Sequence, residues 1–360
     1  MRLCRDAGLL RSERVALDGT KIQANASKRK AMSYGRMKKK LTDLDVEIEA
    51  LMGLAEAADQ AEDAQYGAGQ RGDEGVVEAV QHARSRREWI AQRMAELEEE
   101  TRLGRAAELE RQAQSNEASA VVAPNPSEAR RRRTTAKKRK EASLSLFGDD
   151  DPPPAEALPR NVPPHHRDGT PKDRAQRNST DPDSRIMKKD GAFLQAYNGQ
   201  LVVDEETQVA VAAGVSNLAP DVTYLPEMLA RTCSNLGASP VSLTTDAGYW
   251  SAGNAELCEE LGVEPYIATS RKMHGMRRKP TRIGPPPPEL GTKERMQWRI
   301  ETAEGLERVI RRRTSSEPVF GQIKEARTFR RFSLRGMDKI RGEWDLIAAA
   351  HNLVKLWRAT

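Results

Sequence analysis

Aromatic residues make up only 4% of this 360-residue chain, and hydrophobic residues 38%. That is thin for one compact core of this length, so part of the chain is expected to lie outside it. Cysteine is scarce as well. Cys4, Cys233 and Cys258 are too few for a disulfide scaffold and lack paired metal spacing, which fits a reducing cytoplasm. No apolar run approaches the ~20 residues that cross a membrane, and no signal peptide is recognisable. Charge, by contrast, is plentiful and unevenly placed. The formal net charge is +6, but residues 41–120 hold 19 acidic and 8 basic residues, whereas 271–341 hold 20 basic and 8 acidic. Such asymmetry predicts a basic working surface for polyanions beside an acidic module.

The pattern along the chain divides it further. "RSERVALDGTKIQANAS" reads as a strand with Val15, Leu17 and Ile22 as apolar positions, punctuated at Asp18-Gly19. Asp-Gly is also a favoured hairpin turn, which is the plainer reading of Asp18 taken alone. From about residue 31, Met37, Leu41, Leu44, Ile48, Leu51 and Ala55 step as a heptad seam. After the break "QYGAGQRGDEG", Ala83, Ile90, Met94 and Leu97 form a second stripe, which predicts an antiparallel helical hairpin. Residues 119–176 read as a disordered linker, basic in "RRRRTTAKKRK" and then Pro-rich. The basic run either grips DNA phosphates or is a solvated tail. His165-His166 has no further ligands in its sequence neighbourhood.

Beyond residue 177 the spacing predicts two strands at about 193–203 and 208–215, then a helix ended by Gly237. "VSLTTDAGYWS" follows as a strand that ends in Asp246, with Ser251 capping the next helix and Gly262 ending it. "EPYIATS" is a further short strand. A long helical stretch from near Lys293 contains Pro318, which predicts two helices or a bent one. "EWDLIAAAHNLVKLW" reads as a closing helix.

Asp18 and Asp246 thus sit at strand ends, and Glu317 sits on a late helix. Three carboxylates converging on one sheet edge repel unless cations neutralise them. Hard divalent ions with oxygen ligands do this best, Mg²⁺ or Mn²⁺ in particular. Two such ions roughly 4 Å apart activate a water or a 3′ hydroxyl in phosphodiester chemistry. Arg313 and Lys324, four before and seven after Glu317, share its face on a continuous helix, where cations suit a phosphate substrate. The plainer alternative is a surface ladder of salt bridges.

The stretches "VALDGTKIQANAS", "RNSTDPDSRIM", "LQAYNGQLVVD", "TTDAGYWS", "EPYIATSR" and "EPVFGQIKEARTFRRFSLRG" together resemble the bacterial insertion-sequence transposases of the DDE superfamily. The likeness covers most of the chain, including the helical segment after the first strand. It implies an α/β fold, an RNase H-like (retroviral-integrase-like) mixed sheet flanked by helices, with a helical-hairpin insertion after the first strand. It implies that Asp18, Asp246 and Glu317 are catalytic and hold two Mg²⁺ or Mn²⁺ ions. The family signature Y-(2)-R-(3)-E-(6)-K falls on Ile310, Arg313, Glu317 and Lys324, so the tyrosine position holds Ile310. It implies DNA contact for Arg313 and Lys324, and the basic residues around them extend the candidates to Arg311, Arg312, Arg313, Lys324, Arg330, Arg331 and Arg335; for Arg330 and Arg331 solvated helix charge is the alternative. Tyr249 packs or stacks near the site.

The expected organisation is residues 1–30 as the first catalytic strand, 31–118 as the helical hairpin, 119–176 as the linker and 177–360 as the rest of the core. Only 17 residues precede Asp18, where relatives carry a helical N-terminal domain, so a shortened copy or a start further upstream is expected. The expected activity is cleavage at transposon ends and transfer of the 3′ hydroxyl into target DNA. The partners are double-stranded DNA and a second copy of the chain, with no membrane and no small-molecule substrate, in the cytoplasm at the nucleoid. The rivals are an RNase H-like nuclease that cuts without joining and a catalytically silent DNA-binding remnant.

Overall fold

The computed structural model describes residues 1–10, 13–27, 30–66, 74–121, 125–148, 151–153, 162–189, 191–270 and 279–359. The Gly-rich break at 67–73, most of the Pro-rich stretch (154–161) and part of the basic loop (271–278) lie outside the described residues. The chain forms two units, one of Met1–Lys28 with Thr180–Thr360 and one of Arg29–Ser179. The first opens with α1 (Arg2–Asp6) and β1 (Arg14–Gln23). The second holds β2 (Ala31–Ser33), α2 (Tyr34–Tyr66), α3 (Glu74–Val121), α4 (Pro126–Leu144) and β3 (Gln176–Asn178). The first then resumes with β4 (Arg185–Lys189), β5 (Ala192–Asp204), β6 (Ala210–Ser216), α5 (Leu225–Leu236), β7 (Ser242–Thr245), α6 (Ala252–Glu260) and β8 (Glu264–Ile267). It closes with α7 (Thr292–Glu301), α8 (Ala303–Gly321) and α9 (Met337–Ala359).

In the first unit a mixed sheet runs β4-β5-β1-β7-β8, with β6 also on β5. β5 is antiparallel to β1, whereas β1, β7 and β8 are parallel. Period-two alternation along β1 serves two cores. Val15 and Leu17 pack with Leu243, Leu225, Met228, Tyr249 and Cys258 on the α5–α6 side. Ala16 and Ile22 pack with Val319, Ile323, Phe332 and Trp344 on the side of α8 and α9. Trp344 is fully buried, and its indole N–H donates to the Gln200 carbonyl at 3.0 Å.

Asp18-Gly19 is not a turn. β1 runs straight through it, with Asp18 opposite Leu201 and Gly19 opposite Gln200. The glycine is there for space. A Cβ at Gly19 would stand 2.5 Å from Gln200 Nε2 and 2.8 Å from Asp221 Oδ1.

In the second unit α2 and α3 are antiparallel, since Tyr34 meets Glu98 and Asp45 meets Arg87. Met37, Leu44, Ala83, Ile90 and Leu97 form their core, with Leu41, Ile48 and Met94 around it. The residues expected to be a disordered linker differ in outcome. Residues 126–144 form α4, antiparallel to the second half of α3. Arg132 donates to the Ser119 carbonyl, Arg139 to that of Gln112 and Ser143 to that of Ala106. Asn125 caps the helix by accepting from the Glu128 N–H at 2.8 Å, and Pro126 opens its first turn. The buried residues of α4 are small, Ala136 and Ser143, and Ala106 and Ala113 of α3 are buried as well. Such a seam needs no apolar bulk, so arginines and lysines dominate the segment's hydropathy without preventing its packing.

Candidate active site

Leu17 on β1 is in register with Thr245 on β7, the last residue of that strand. The next residues on each, Asp18 and Asp246, therefore meet where β7 stops and β1 runs on. Openings of this kind, past the C-terminal ends of parallel strands, are where α/β sheets place their chemistry. Asp18 Oδ2 accepts from Arg312 at 2.7 Å and from the Ser316 hydroxyl at 2.9 Å. Its Oδ1 accepts from the Gly19 N–H at 2.9 Å. Burial pushes the Asp18 carboxyl above the usual carboxylate range; Arg312 pulls it back, and the like charge of Asp246 raises it further. Asp246 caps a single 3₁₀ turn, Ala247–Tyr249, by accepting from the Gly248 N–H at 2.8 Å.

Behind this pair stands an acid the sequence reading missed. Asp221, in the loop between β6 and α5, accepts on Oδ1 from Lys21 at 3.3 Å, Asn198 at 2.5 Å and Gln200 at 2.8 Å. Gln200 accepts in turn from the hydroxyl of Tyr249. Tyr249 is fully buried, and its phenol is raised well above its ordinary value by burial and then by the charges of Asp221, Asp18 and Asp246. Asn254 completes the brace by donating to the carbonyls of Val222 and Tyr249, both at 2.8 Å. Of the two uses expected for Tyr249, packing is the one found. Asp221 carries no periodic signal, and its cationic partner Lys21 is 200 positions away.

α8 crosses the same opening. Arg308, Arg312 and Ser316 recur every four residues and face inward. Arg308, 7% exposed, pairs at 3.5 Å with Glu205, whose side chain is wholly buried and also accepts from Thr244 at 2.9 Å. Glu317 and Arg313 lie on the exposed side of the helix. Among the described residues the Glu317 side chain makes no hydrogen bond or ion pair, and no three acids stand close enough to share one metal ion, so the side chains bring Asp18 and Asp246 together but not Glu317. Nor does Lys324 keep the face of Glu317. Residues 322–326 form a π-helical segment, and Lys324 reaches the Thr20 hydroxyl instead. The i+7 rule holds for a continuous α-helix, and the wider turn breaks it.

The other cations are spread along the same element and the loop after it. Arg311 pairs with Glu307 at 3.4 Å, and the exposed Arg330 pairs with Glu325. Arg331 and Arg335 both reach Asn25, just past the end of β1, the latter at 2.8 Å from its carbonyl. Both arginines remain exposed.

Two neighbouring carboxylates with hard oxygen donors, one of them raised by burial and further by its neighbour's charge, suit a divalent cation of the Mg²⁺ class in donor chemistry. Among the described residues no group of three or more His, Cys, Asp or Glu stands close enough to share one metal ion. No described helix is long and apolar enough to cross a membrane. Neither the curated proteins nor the solved structures contain a match to the chain. The family model described as "Transposase DDE domain" matches residues 164–353, a span that includes Asp246 and Glu317 and begins after Asp18. That match covers more than half of the chain, which therefore belongs to the transposase DDE domain family.

Proposed function

We propose that the chain is a DNA transposase of the Y-R-E-K signature type, with an RNase H-like core, that cuts at transposon ends and transfers the freed 3′ hydroxyl into target DNA. The observation that carries this is the meeting of Asp18, within β1, and Asp246, just past the end of the parallel strand β7, in a chain of this family. Asp18 and Asp246 would hold Mg²⁺ or Mn²⁺, with Glu317, which the described side chains leave apart from them, proposed as the third ligand of a two-ion site; the ions when bound would supply activation of the attacking oxygen and neutralisation of the phosphodiester charge. Hydrolysis breaks one P–O bond and leaves a 3′ hydroxyl. Transfer then exchanges one phosphodiester for another, so no nucleotide cofactor is needed.

The chain's own residues do the rest. Arg312 and Ser316 fix the Asp18 carboxylate, and the Asp221–Gln200–Tyr249 brace fixes the turn that Asp246 caps. Arg311, Arg313, Arg330, Arg331 and Arg335 offer cations to the phosphate backbone, and Arg312 and Lys324 border the acids. Two ends must be held for one reaction, which favours a homodimer on paired ends, acting at the nucleoid in the cytoplasm.

The test is a product assay. The purified chain is given Mg²⁺, the DNA flanking its own gene and a target plasmid. Joined DNA supports the proposal. Nicks without joining assign a nuclease, and DNA binding without any Mg²⁺-dependent product assigns a silent remnant; either result overturns it.

A further inference from the structure

Helix α4 carries eight basic residues between Arg130 and Lys140, and its packing on α3 sorts them into two sets. The inner set is committed. Arg132 binds Glu128 and the Ser119 carbonyl, Arg139 the Gln112 carbonyl, and Lys140 Glu117 at 2.9 Å. The outer set is Arg130, Arg131, Arg133, Lys137 and Lys138, all exposed. Lys137 stands 3.8 Å from Glu141. The side chains of Arg130, Arg131, Arg133 and Lys138 have no ion pair or hydrogen bond among the described residues. At about 100° per residue these side chains fan over the half of the helix turned away from Ala136 and Ser143, the buried pair.

The arc between them holds no competing recognition chemistry. Thr134 lies at its centre, and its hydroxyl is spent on the Arg130 carbonyl at 3.0 Å. Thr135 is likewise bonded, to the Arg131 carbonyl at 2.9 Å. No apolar or aromatic side chain stands among the outer cations to stack on a base. From Arg130 to Lys138 the helix rises about 12 Å at 1.5 Å per residue, enough to meet several phosphates of a duplex. The anchored N-terminus, capped by Asn125, adds the positive end of the helix dipole.

We propose that the outward face of α4 is a binding surface for the phosphate backbone of duplex DNA, one that reads charge and not sequence. The choice of DNA as the polyanion rests on the transposase reading; the surface itself does not depend on the catalytic acids. It gives the second unit a function beyond that of a spacer.

The experiment uses the full chain, a random-sequence duplex of about 30 base pairs and EDTA, so that no cleavage is involved. Binding is measured against salt for the wild type and for the variant Arg130→Gln, Arg131→Gln, Arg133→Gln, Lys138→Gln. Each cation that faces a phosphate contributes about 0.9 to the slope of log K against log salt, hence roughly eightfold in affinity at about 0.1 M salt. The expected result is a slope shallower by about 2 or more, with unchanged helix content by circular dichroism. A companion variant, Arg130→Lys, Arg131→Lys, Arg133→Lys, keeps the charge and is expected to keep the slope. Unchanged slope and affinity in the glutamine variant would overturn the inference, as would a lysine variant as defective as the glutamine one. Strong salt-dependent binding through α4 in a chain that never cuts DNA would sink the enzymatic reading and leave this one standing.

Discussion

Asp221 should be a costly polar residue to remove beside the candidate site. Its Oδ1 is the shared acceptor for Lys21, Asn198 and Gln200. Asn198 and Gln200 are fully buried, and the Lys21 side chain is 18% exposed. Asp221→Ala strands the Gln200 amide and leaves the lysine without its carboxylate, while Asn198 keeps the Leu218 carbonyl at 3.3 Å. A stranded buried donor costs about 1–3 kcal/mol. One full and two partial losses give about 3 kcal/mol. Asp221→Asn retains one acceptor oxygen and the same shape, and so should cost only about 1 kcal/mol. Urea denaturation of the two variants against wild type reads both numbers. Near-ultraviolet circular dichroism reports whether Tyr249, bonded to the same Gln200, loses its fixed setting. An alanine variant within about 0.5 kcal/mol of wild type would refute the shared-acceptor argument. An asparagine variant as unstable as the alanine one would show that the charge, not the acceptor geometry, carries the effect.

Arg308→Met removes the ion-pair partner of the buried Glu205, which keeps its bond from the Thr244 hydroxyl, and should cost about 3–5 kcal/mol. The paired change Arg308→Met, Glu205→Met should recover much of that in a double-mutant cycle, and a purely additive cycle would contradict the pairing. His351 is buried, with Nε2–H donating to the Gln208 carbonyl at 2.8 Å. Burial, aided by Arg327 and Lys355, holds its imidazole below its ordinary value. The unfolded chain therefore takes up a proton as pH falls through about 6.5 before the folded chain does. Stability from this residue is present above that pH and is lost below it. His351→Gln should flatten the fall in urea midpoint between pH 7.5 and 5.5; an unchanged fall would refute the assignment.

Apolar spacing made most elements of the first unit legible. β5 and β6, α5 with its left-handed Gly237, the Ser251 cap and α9 all follow from local pattern. Asp246 stood out because it follows directly on a short run, the strand that ends at Thr245. The differences have long-range causes. Asp-Gly looks like a turn unless one knows that Gln200, Asp221 and Tyr249 crowd Gly19 across the sheet. Asp221 has no local signature, because the groups that need it lie on β1 and β5. α4 hid behind its charge, although the Asn-Pro-x-Glu start at Asn125–Glu128 is a helix N-terminus in miniature. Lys324 was placed by an ideal helical offset that the π-helical segment does not obey.

The central claim is that Asp18 and Asp246 act together as ligands for a hard divalent cation. Mn²⁺ binding to the full chain, followed by electron paramagnetic resonance without DNA, tests it most directly. The account predicts saturable binding that weakens roughly tenfold or more in both Asp18→Asn and Asp246→Asn, since even outer-shell changes cost that much at metal sites. Wild-type affinity in both variants, with the fold intact by circular dichroism, would contradict it.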